Sequence, residues 1–345
     1  VMEDVFKLIS QEDYLMGGPK ENSHGIKLWF PKEKRTENMP VAALDRRFMS
    51  MIAYVGGKYN VCGDKWYGSN ISNKDKNLPR SILNITLNDP ETGAPIAYCS
   101  GNLVSAMRTG AVPGVATQYL QAEGASTIGI VGAGVMNRAS LMAICETLKN
   151  KKIAKIYNRT KSKSEALCEE LRETLGIELI AVDTLEEAVI DCDIVSIATS
   201  GNHPAQIKDE WIKDGAVIHL VGTANLSADC YINNKVVVDN WKMHLDWIED
   251  GLRHPEGVES LMSSAPSAPL LKLFLDKRKP EKDICSLGDI ILGKAEGRKD
   301  NKEKIIFVTG GIPAEDVAWA YTIYNRAKEM GIGQNLLLWD EPYWS

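Results

Sequence analysis

The feature that most constrains the fold is a glycine-rich turn, Gly132-Ala133-Gly134, between two apolar segments of different pattern. Residues 125–131 before the turn form a continuous apolar run, which is typical of a buried strand in a parallel sheet. Residues 135–148 after it have helical spacing. Both glycines permit a sharp turn and close approach of a pyrophosphate, which the N–H groups at the helix start would bind. We predict a dinucleotide-binding Rossmann domain; the alternative is a merely tight turn.

Strands and helices continue to alternate after this turn, which predicts an α/β fold with a parallel sheet covered by helices on both faces. The third glycine of the usual phosphate loop is replaced by Asn137, so we expect slightly looser packing of helix on strand. The pattern predicts strands at 153–157, 178–182, 194–198, 217–221, 236–238 and 305–309, and helices at 162–175, 185–190 and 314–330.

The chain before the Rossmann segment has a different pattern. Short β-rich segments bounded by turn residues predict a mostly antiparallel sheet, and residues 103–121 have helical spacing. A length of 345 residues suggests two domains, because single cores rarely grow beyond about 300 residues. The predicted strands are at 25–30, 48–55, 59–67, 81–88 and 94–99, with a hairpin turn at 88–93.

Composition narrows the class of ligand. A net charge of −6 argues against a nucleic-acid or anionic-membrane surface and favours a small-molecule ligand. The seven cysteines form no CxxC pair and have no histidine partner at metal-ligand spacing, so we expect reduced cysteines of a cytoplasmic protein and no metal site. No apolar run approaches the roughly 20 residues that cross a bilayer, and no secretory signal is visible.

The end of the second parallel strand bears on the choice of coenzyme. An acidic residue there would bind the ribose of NAD, but the sequence reads Asn158-Arg159-Thr160-Lys161-Ser162. Cations and hydroxyls suit a 2′-phosphate, so we predict NADP(H) in preference to NAD(H), which stays possible. The alternative is that Arg159 and Lys161 only begin a solvated helix. A later strand ends in small residues, Ala198, Thr199 and Ser200, as it would beneath a nicotinamide ribose.

Two cations lie inside otherwise apolar segments, Lys65 in a predicted strand and Arg108 in a predicted helix. A buried charge is costly unless it is paired. Asp64, Asp45 or Asp89 would be structural partners, whereas the α-carboxylate of a substrate would equally satisfy a lysine and a forked arginine. On these residues alone, both interpretations are open.

Several motifs together resemble the ornithine cyclodeaminase/mu-crystallin family. The resemblance covers most of the chain, in order and at family spacing, and is far more specific than the phosphate loop alone. The matching segments are Cys62-Gly63-Asp64-Lys65, residues 73–79 and 89–95, Arg108-Thr109-Gly110-Ala111, Gly132-Ala133-Gly134, Asn158-Arg159-Thr160 and residues 310–316; the ending Leu338-Trp339-Asp340 resembles a bacterial subgroup of the family.

The resemblance implies a homodimer that acts on a small amino, imino or keto acid. Residues 1–122, completed by 312–345, would bind substrate and dimerise, and residues 123–311 would form the Rossmann domain. Lys65 and Arg108 would hold the substrate carboxylate beside the nicotinamide as catalytic residues. The predicted coenzyme contacts are Thr109, Gly132, Gly134, Val135, Met136, Asn158, Arg159, Thr160, Ala198, Thr199, Val221 and Gly311.

The chain departs from the family where the cyclodeaminases carry two carboxylates. One position falls at about Met49, and the other on Ala224 or, with a slip of one residue, Asn225. The carboxyl groups that would transfer protons to and from an amine are then missing, so cyclisation of ornithine becomes doubtful.

Other substrate-side residues are less defined. The family's early substrate arginine is replaced by His24 or Lys27, or by Arg46 or Arg47 from an extra segment. His24 could act as an acid near neutral pH, or could be a surface or capping residue. Asp316 is a candidate substrate contact or a first-turn acid stabilised by the helix dipole.

Three functions remain open at this point. The preferred one is an NAD(P)H-dependent oxidoreductase acting on a C–N bond, such as an imine or ketimine reductase or an amino-acid dehydrogenase. The others are an ornithine cyclodeaminase and a non-catalytic dinucleotide-binding accessory subunit. Residues 242–264 either close over the site or form an amphipathic surface; the segment carries His244, Trp247 and His254 and follows Trp241.

Overall fold

A computed structural model describes residues 1–43, 45–199, 204–253, 259, 261–262 and 265–342. The first part of the chain forms an antiparallel sheet, as predicted. Its strands run in the order β1-β3-β4-β5-β6, and β2 pairs with β3. The elements are α1 (Met2–Ser10), β1 (Tyr14–Met16), β2 (Ile26–Trp29), β3 (Arg47–Val55), β4 (Val61–Ser69), β5 (Ser81–Asn88), β6 (Pro95–Ser100) and α2 (Asn102–Leu120).

The second part forms a parallel sheet, which confirms the predicted α/β class. Its strands run in the order β15-β14-β16-β12-β10-β7-β8-β9, and β11 pairs separately with β13. The strands are β7 (Thr127–Val131), β8 (Ile153–Tyr157), β9 (Glu178–Ala181), β10 (Ile194–Ile197), β11 (Ala205–Gln206), β12 (Val217–Leu220), β13 (Ala224–Asn225), β14 (Lys235–Val238), β15 (Ile284–Ser286) and β16 (Ile305–Val308).

Helices flank this sheet and return the chain to the first one. They are α3 (Val135–Thr147), α4 (Lys161–Leu175), α5 (Ala228–Asn233), α6 (Trp241–Arg253), α7 (Ala268–Leu275), α8 (Leu287–Ile291) and α9 (Pro313–Glu329), with 3₁₀ turns at Ile71–Lys76, Asp209–Trp211 and Glu281–Asp283. None of the described helices is both long and apolar enough to span a membrane. The seven cysteines are free thiols.

The helix predicted at 185–190 is wrong, because the structure has consecutive turns there. The Glu187 carboxylate accepts hydrogen bonds from the backbone N–H groups of Asp183 and Thr184, and Asp191 has a positive φ of 60°. These capping bonds and the left-handed Asp191 hold the segment in turns, although helices as short as α8, with five residues, form elsewhere in the chain.

The last helix, α9, packs against β3, β4 and β5 of the antiparallel sheet. Gly63 allows the close approach, since a Cβ there would lie 3.0 Å from the Val317 side chain. The helix α2 packs along α3, where a Cβ on Gly114 would lie 2.7 Å from the Ala143 methyl group. Residues 310–316 are therefore placed between the two sheets. The domain boundaries given above stay a prediction.

Candidate active site between the two sheets

The phosphate loop has the shape that a dinucleotide requires. Gly132 has a φ of +100°, and a Cβ there would lie 2.6 Å from the carbonyl oxygen of Ala198. A Cβ on Gly134 would meet nothing within 4 Å, so the loop is open on that side. The first turn of α3 leaves its N–H groups unpaired, and Val135 and Met136 there are 70% and 42% exposed. These residues fit a bound pyrophosphate.

Asn137, at the position of the third glycine, is fully buried. Its Nδ2 donates to the carbonyl oxygens of Val131 and Gly132, each at 2.8 Å. Its Oδ1 accepts from the hydroxyl of Ser196 at 2.8 Å. The asparagine therefore fills this contact and ties α3 to β7 and β10, which corrects the expectation of looser packing.

The end of β8 carries basic and hydroxyl groups on the surface. Oδ1 of Asn158 accepts from the N–H of Ala133, at 3.2 Å, which joins this turn to the phosphate loop. Lys161 pairs with Asp183. Arg159 and Thr160 are exposed. Among the described side chains, none pairs with the Arg159 guanidinium.

The other predicted coenzyme residues lie near the carboxyl ends of β10 and β12, where open α/β sheets bind ligands. Ala198 and Thr199 follow β10, and Val221 follows β12. Thr109, on α2, donates its hydroxyl to a carbonyl oxygen one turn earlier, at 2.7 Å. Ser200 lies outside the described residues. The coenzyme roles of these residues stay predictions.

Four charged side chains form a buried group at the start of α9, which we call the ion cluster: Lys65, Arg108, Glu315 and Asp316. The Nζ of Lys65 lies 2.6 Å from Oδ2 of Asp316 and 3.3 Å from the hydroxyl of Ser105. Arg108 donates through Nε to Oδ1 of Asp316, at 3.0 Å, and through Nη1 to Oε2 of Glu315, at 2.8 Å. The four side chains are at most 6% exposed.

Three elements bring the ion cluster together. Lys65 is on the face of β4 that packs towards α9, and Arg108 is on α2. Glu315 and Asp316 are in the first turn of α9, where the helix dipole favours acids. Gly311, just before that helix, has a φ of +77°, and a Cβ there would lie 3.0 Å from Nη1 of Arg108. A side chain at 311 would therefore be strained and would crowd the guanidinium.

Lys65 and Arg108 have N–H groups that donate to none of the described residues. Lys65 uses two of the three N–H groups of an ammonium in bonds to described residues, and Arg108 uses two of the five of a guanidinium. The remaining donors suit a carboxylate, which a lysine and a forked guanidinium bind well.

Burial shifts the pKa values in the ion cluster. It lowers the pKa of Lys65 to about 8, with repulsion from Arg108, and Asp316 offsets this only in part. Burial raises the pKa of Glu315 to about 8, because Arg108 does not outweigh the loss of solvent and the nearby carboxylates of Asp239 and Asp316. Burial also acts to raise the pKa of Asp316, but the two facing cations outweigh it and hold that pKa low.

Asp239, directly after β14, fixes the backbone before α9. Its Oδ2 accepts hydrogen bonds from the N–H groups of Gly310, at 2.6 Å, and Gly311, at 3.2 Å. Its Oδ1 lies 2.8 Å from Nε2 of His244, whose Nδ1 lies 2.9 Å from the hydroxyl of Ser267. These three side chains are fully buried, so they support the loop rather than contact solvent.

Sequence reasoning missed Glu315, Asp239 and Ser105. Glu315 stood inside the matched motif, and an acid at the third helical position is a visible signal. Asp239 follows an apolar parallel strand, a position where functional side chains gather. Ser105 precedes Arg108 by three residues, so the two share a helix face.

His24 lies at the ion cluster, with its ring hydrogen-bonded to the backbone before α9. Its Nδ1 lies 2.6 Å from the carbonyl oxygen of Gly311, so Nδ1 carries the proton and Nε2 is an acceptor. Burial, together with repulsion from Lys27, lowers the pKa of His24 to about 3. The ring is therefore neutral near pH 7, which disfavours an acid there, and the substrate-side role of His24 stays a prediction.

Arg47 is held away from Lys65, and its role as a substrate contact stays a prediction. It pairs with Asp45 and donates through Nη2 to the hydroxyl of Tyr67 at 2.6 Å. Lys65 lies opposite Met51 in the β3–β4 register, four residues further along β3. Four residues of a strand span about 13 Å.

The other candidates for the family's early arginine differ in position. Arg46 donates to the carbonyl oxygen of Val41 at 3.0 Å. Lys27 lies opposite Met49 in the β2–β3 register, so both side chains are on the sheet face that carries Lys65. Burial lowers the pKa of Lys27, and Asp250 on α6 partly opposes this.

The predicted aspartate partners of the two cations are wrong. Asp64 neighbours Lys65 in the strand, so it points to the opposite face and accepts from the Ser50 hydroxyl at 2.8 Å. Asp45 pairs with Arg80 at 2.5 Å as well as with Arg47. Asp89 accepts hydrogen bonds within its own turn.

Asn225, in β13, is exposed, and the structure shows no hydrogen bond from its side chain to the ion cluster. Ala224 beside it and Met49 on β3 are buried apolar residues. The described part of the segment 242–264 includes most of α6, where the Trp247 ring meets His24 at 5.2 Å between ring centroids. The helix thus packs beside the ion cluster; His254 lies outside the described residues.

Known proteins are similar to this chain in sequence and fold. A 28% identical relative is N-((2S)-2-amino-2-carboxyethyl)-L-glutamate dehydrogenase of Staphylococcus aureus, aligned over 85% of this chain and 82% of the relative. The solved structure of Thermococcus litoralis Delta(1)-pyrroline-2-carboxylate reductase, in complex with NADH and L-proline, is also 28% identical. It superposes with a TM-score of 0.77 over 97% of this chain and 94% of that one.

An archaeal alanine dehydrogenase dimer with bound NAD superposes with a TM-score of 0.77 over 98% of this chain and 93% of that one. At 24% identity it supports the fold alone. The reductase and dehydrogenase names of the two 28% identical relatives match the predicted enzyme class, an oxidoreductase acting on C–N bonds. The profile of the Ornithine cyclodeaminase/mu-crystallin family matches residues 1–331, and the chain therefore belongs to that family.

Proposed function

We propose that this chain is an NADP(H)-dependent oxidoreductase that acts on the C–N bond of a small amino or imino acid. The observation that carries the proposal is the ion cluster, where Lys65 and Arg108 keep unused donors close to the carboxyl ends of the Rossmann strands. An α-carboxylate matches those donors. The names of the two relatives support the class of reaction.

Bound NAD(P)H would supply a hydride to the imine carbon. Lys65 and Arg108 would orient the substrate through its carboxylate and stabilise the charge that changes at the neighbouring imine. His24, neutral and with Nε2 as an acceptor, would accept a hydrogen bond from the substrate N–H group. The low exposure of these cations would strengthen their interaction with the anion, because little water competes there.

The surface at the end of β8 supports NADP(H) as the preferred coenzyme. Arg159 is exposed beside the phosphate loop, and the turn 158–160 contains no carboxylate that would repel a 2′-phosphate. We propose that Arg159 and the hydroxyl of Thr160 contact that phosphate. Asn158 would position the turn through its bond to Ala133.

The residues at the positions of the two family carboxylates favour an oxidoreductase over a cyclodeaminase. Met49 is 5% exposed and Ala224 is 3% exposed, so both are packed apolar residues, and the alternative at the second position, Asn225, carries an amide that does not ionise. None of the three side chains could move a proton on an amine or activate water.

We also propose that the chain forms a homodimer through the outer face of its antiparallel sheet. Alternating residues point away from α9 and leave large apolar side chains 42–68% exposed in the three strands nearest one edge. Several exposed large apolar side chains on one sheet face, here interspersed with polar residues such as Ser50 and Asp64, are typical of an association site. We call the following residues the outer sheet face: Leu15, Ile26, Leu28, Ile52, Trp66, Ile82 and Tyr98.

The test is a steady-state screen of cyclic imino acids and of keto acids mixed with amines, followed by loss of NADPH absorbance. We expect turnover of at least one acid, and a raised KM in Arg108→Lys, which keeps the charge but loses the fork. Lys242→Ala, at an exposed ion pair with Glu12, is the matched control. Absence of turnover with every acid, with wild type and Arg108→Lys alike, would refute the proposal.

A further inference from the structure

The charge of the ion cluster depends on one carboxyl group. With Glu315 and Asp316 both ionised, their two negative charges cancel those of Lys65 and Arg108, and the cluster is neutral. A neutral group buried to this extent would offer an anionic substrate little net attraction. With one carboxyl protonated, the cluster would carry one net positive charge.

The two carboxyl groups are not equivalent. Asp316 contacts both cations, one through each oxygen. Glu315 contacts one cation, Arg108, through Oε2, which also accepts a long bond from the N–H of Ile312 at 3.4 Å. Its Oε1 is buried and has no hydrogen-bond partner among the described residues. A negative charge on an oxygen in that position costs more than a neutral hydroxyl group would, so burial favours the protonated form at Glu315 rather than at Asp316.

The charged and titratable neighbours agree with this assignment. Arg108, from α2, favours the ionised form of Glu315, whereas Asp316 on α9 and Asp239 after β14 oppose it. Lys65 on β4 binds Asp316 rather than Glu315. His24, which precedes β2, adds no charge near pH 7 because burial keeps its ring neutral. His244, on α6, faces Asp239, so it acts on Glu315 only through that group.

We propose that Glu315 acts through Arg108 as a positioning residue, and that its proton gives the ion cluster the positive charge that holds a substrate carboxylate. Binding of the anion at a pH where Glu315 is ionised would take up one proton from solvent onto this carboxyl group. No bond to the substrate forms or breaks in that step. The identity of the anion rests on the proposed function; the protonated state of Glu315 does not.

Infrared spectroscopy of the full chain tests the protonated state without any ligand. At pH 7 we expect the carbonyl stretch of a protonated carboxylic acid in the wild type and its loss in Glu315→Gln, which imitates the protonated form. Asp193→Asn is the control, because hydrogen bonds from Lys213 and Thr127 keep that carboxyl ionised, and the band should remain. A wild type without the band, or a band that persists in Glu315→Gln, would overturn the proposal.

The same titration with L-proline and NADPH tests whether binding of the anion is coupled to the proton on Glu315. Bound proline should raise the pH at which the band disappears, and between the midpoints of the free and the bound protein the proline affinity should fall by up to about tenfold per pH unit in the wild type. Calorimetry in buffers of different ionisation enthalpy should show proton uptake on binding that Glu315→Gln loses. If Glu315→Gln still takes up a proton when proline binds, the proton goes to Lys65, and the proposed link between anion binding and Glu315 is overturned.

Failure of the proposed function gives a different result. If proline and the other acids do not bind while the infrared band is present and depends on Glu315, the protonated carboxyl is supported and the proposed substrate class is refuted.

Discussion

Oδ2 of Asp316 lies 2.6 Å from Nζ of Lys65, although 251 residues separate them in the chain. The other oxygen of the same carboxylate accepts from Arg108, so one side chain on α9 joins β4 and α2. The contact draws the last helix, the antiparallel sheet and the helix that leads into the Rossmann segment to one point. Stability and substrate binding are therefore expected to depend on the same carboxylate.

Asp316→Asn should destabilise the protein strongly. The amide would leave two buried cations without a full counter-charge, and breaking a buried pair typically costs about 3–5 kcal/mol. Chemical denaturation at a fixed protein concentration measures the loss. Glu12→Gln, at the exposed pair with Lys242, should change little, because solvent screens that pair. Equal, small effects of both variants would contradict the assigned role of Asp316.

Asn137→Gly, which restores the usual third glycine, should also destabilise the protein. The change removes three side-chain hydrogen bonds that are shorter than 3 Å in a fully buried site. It also leaves a cavity and places glycine in a helix, so we expect a loss of about 2–4 kcal/mol. Thermal and chemical denaturation measure it. Asn137→Gly protein as stable as the wild type would show that the bonds are dispensable.

Much of the coenzyme half was predictable because local patterns determine it. Continuous apolar strands and the turn at Gly132 need no information from distant residues, and the structure follows them closely from β7 to β10. The short segment 185–190 failed because a capping carboxylate and turn conformations outweighed weak helical spacing. The glycine motif shows that Asn137 replaces the third glycine of the phosphate loop. The hydrogen bond that Asn137 accepts from Ser196 could not be predicted, because Ser196 is in β10, a distant part of the chain.

The ion cluster was only partly predictable. Cations inside apolar segments showed that Lys65 and Arg108 needed partners, and the sequence offered nearby aspartates. A neighbour in a strand points to the opposite face, so Asp64 could not serve. The true partners come from α9, and their position is set by the packing of that helix on the sheet, which no local pattern contains.

Arg159→Glu should change the coenzyme preference. If the guanidinium binds a 2′-phosphate, its replacement by a carboxylate removes a charge-assisted bond and adds repulsion, so the Kd for NADPH should rise about tenfold or more. The Kd for NADH should change little. Arg172→Glu, further along α4, makes the same charge change away from the loop and is the control. Fluorescence titration measures both coenzymes, and equal effects on NADPH and NADH would exclude the contact.

Ile52→Asp should convert the proposed homodimer to monomers. Ile52 is 46% exposed near the centre of the outer sheet face, and a buried carboxylate in an apolar interface has no partner. Sedimentation velocity should show a dimer for the wild type and a monomer for the variant. Ile180→Asp, on the edge strand β9 of the other sheet, is the matched control and should remain dimeric. A wild-type monomer would refute the interface.

The stability of the wild type should fall relative to Glu315→Gln as the pH rises from 5 to 8. Burial raises the pKa of Glu315 from an ordinary value near 4.5 to about 8, so the folded protein holds a proton that the unfolded chain releases in this range. The stabilisation is complete below the unfolded pKa and is lost as the pH rises through the folded one, with a slope of at most about 1.4 kcal/mol per pH unit.

Chemical denaturation of both proteins across this pH range measures the difference in free energy of unfolding. The low pKa of His24 acts in the opposite direction below pH 6.5, but it is present in both proteins and largely cancels in the comparison. Asp193→Asn should run parallel to the wild type, since that carboxylate is ionised in both the folded and unfolded states above pH 5. Parallel curves for the wild type and Glu315→Gln would mean that Glu315 is already ionised, and the charge of the ion cluster would then have to come from a different group.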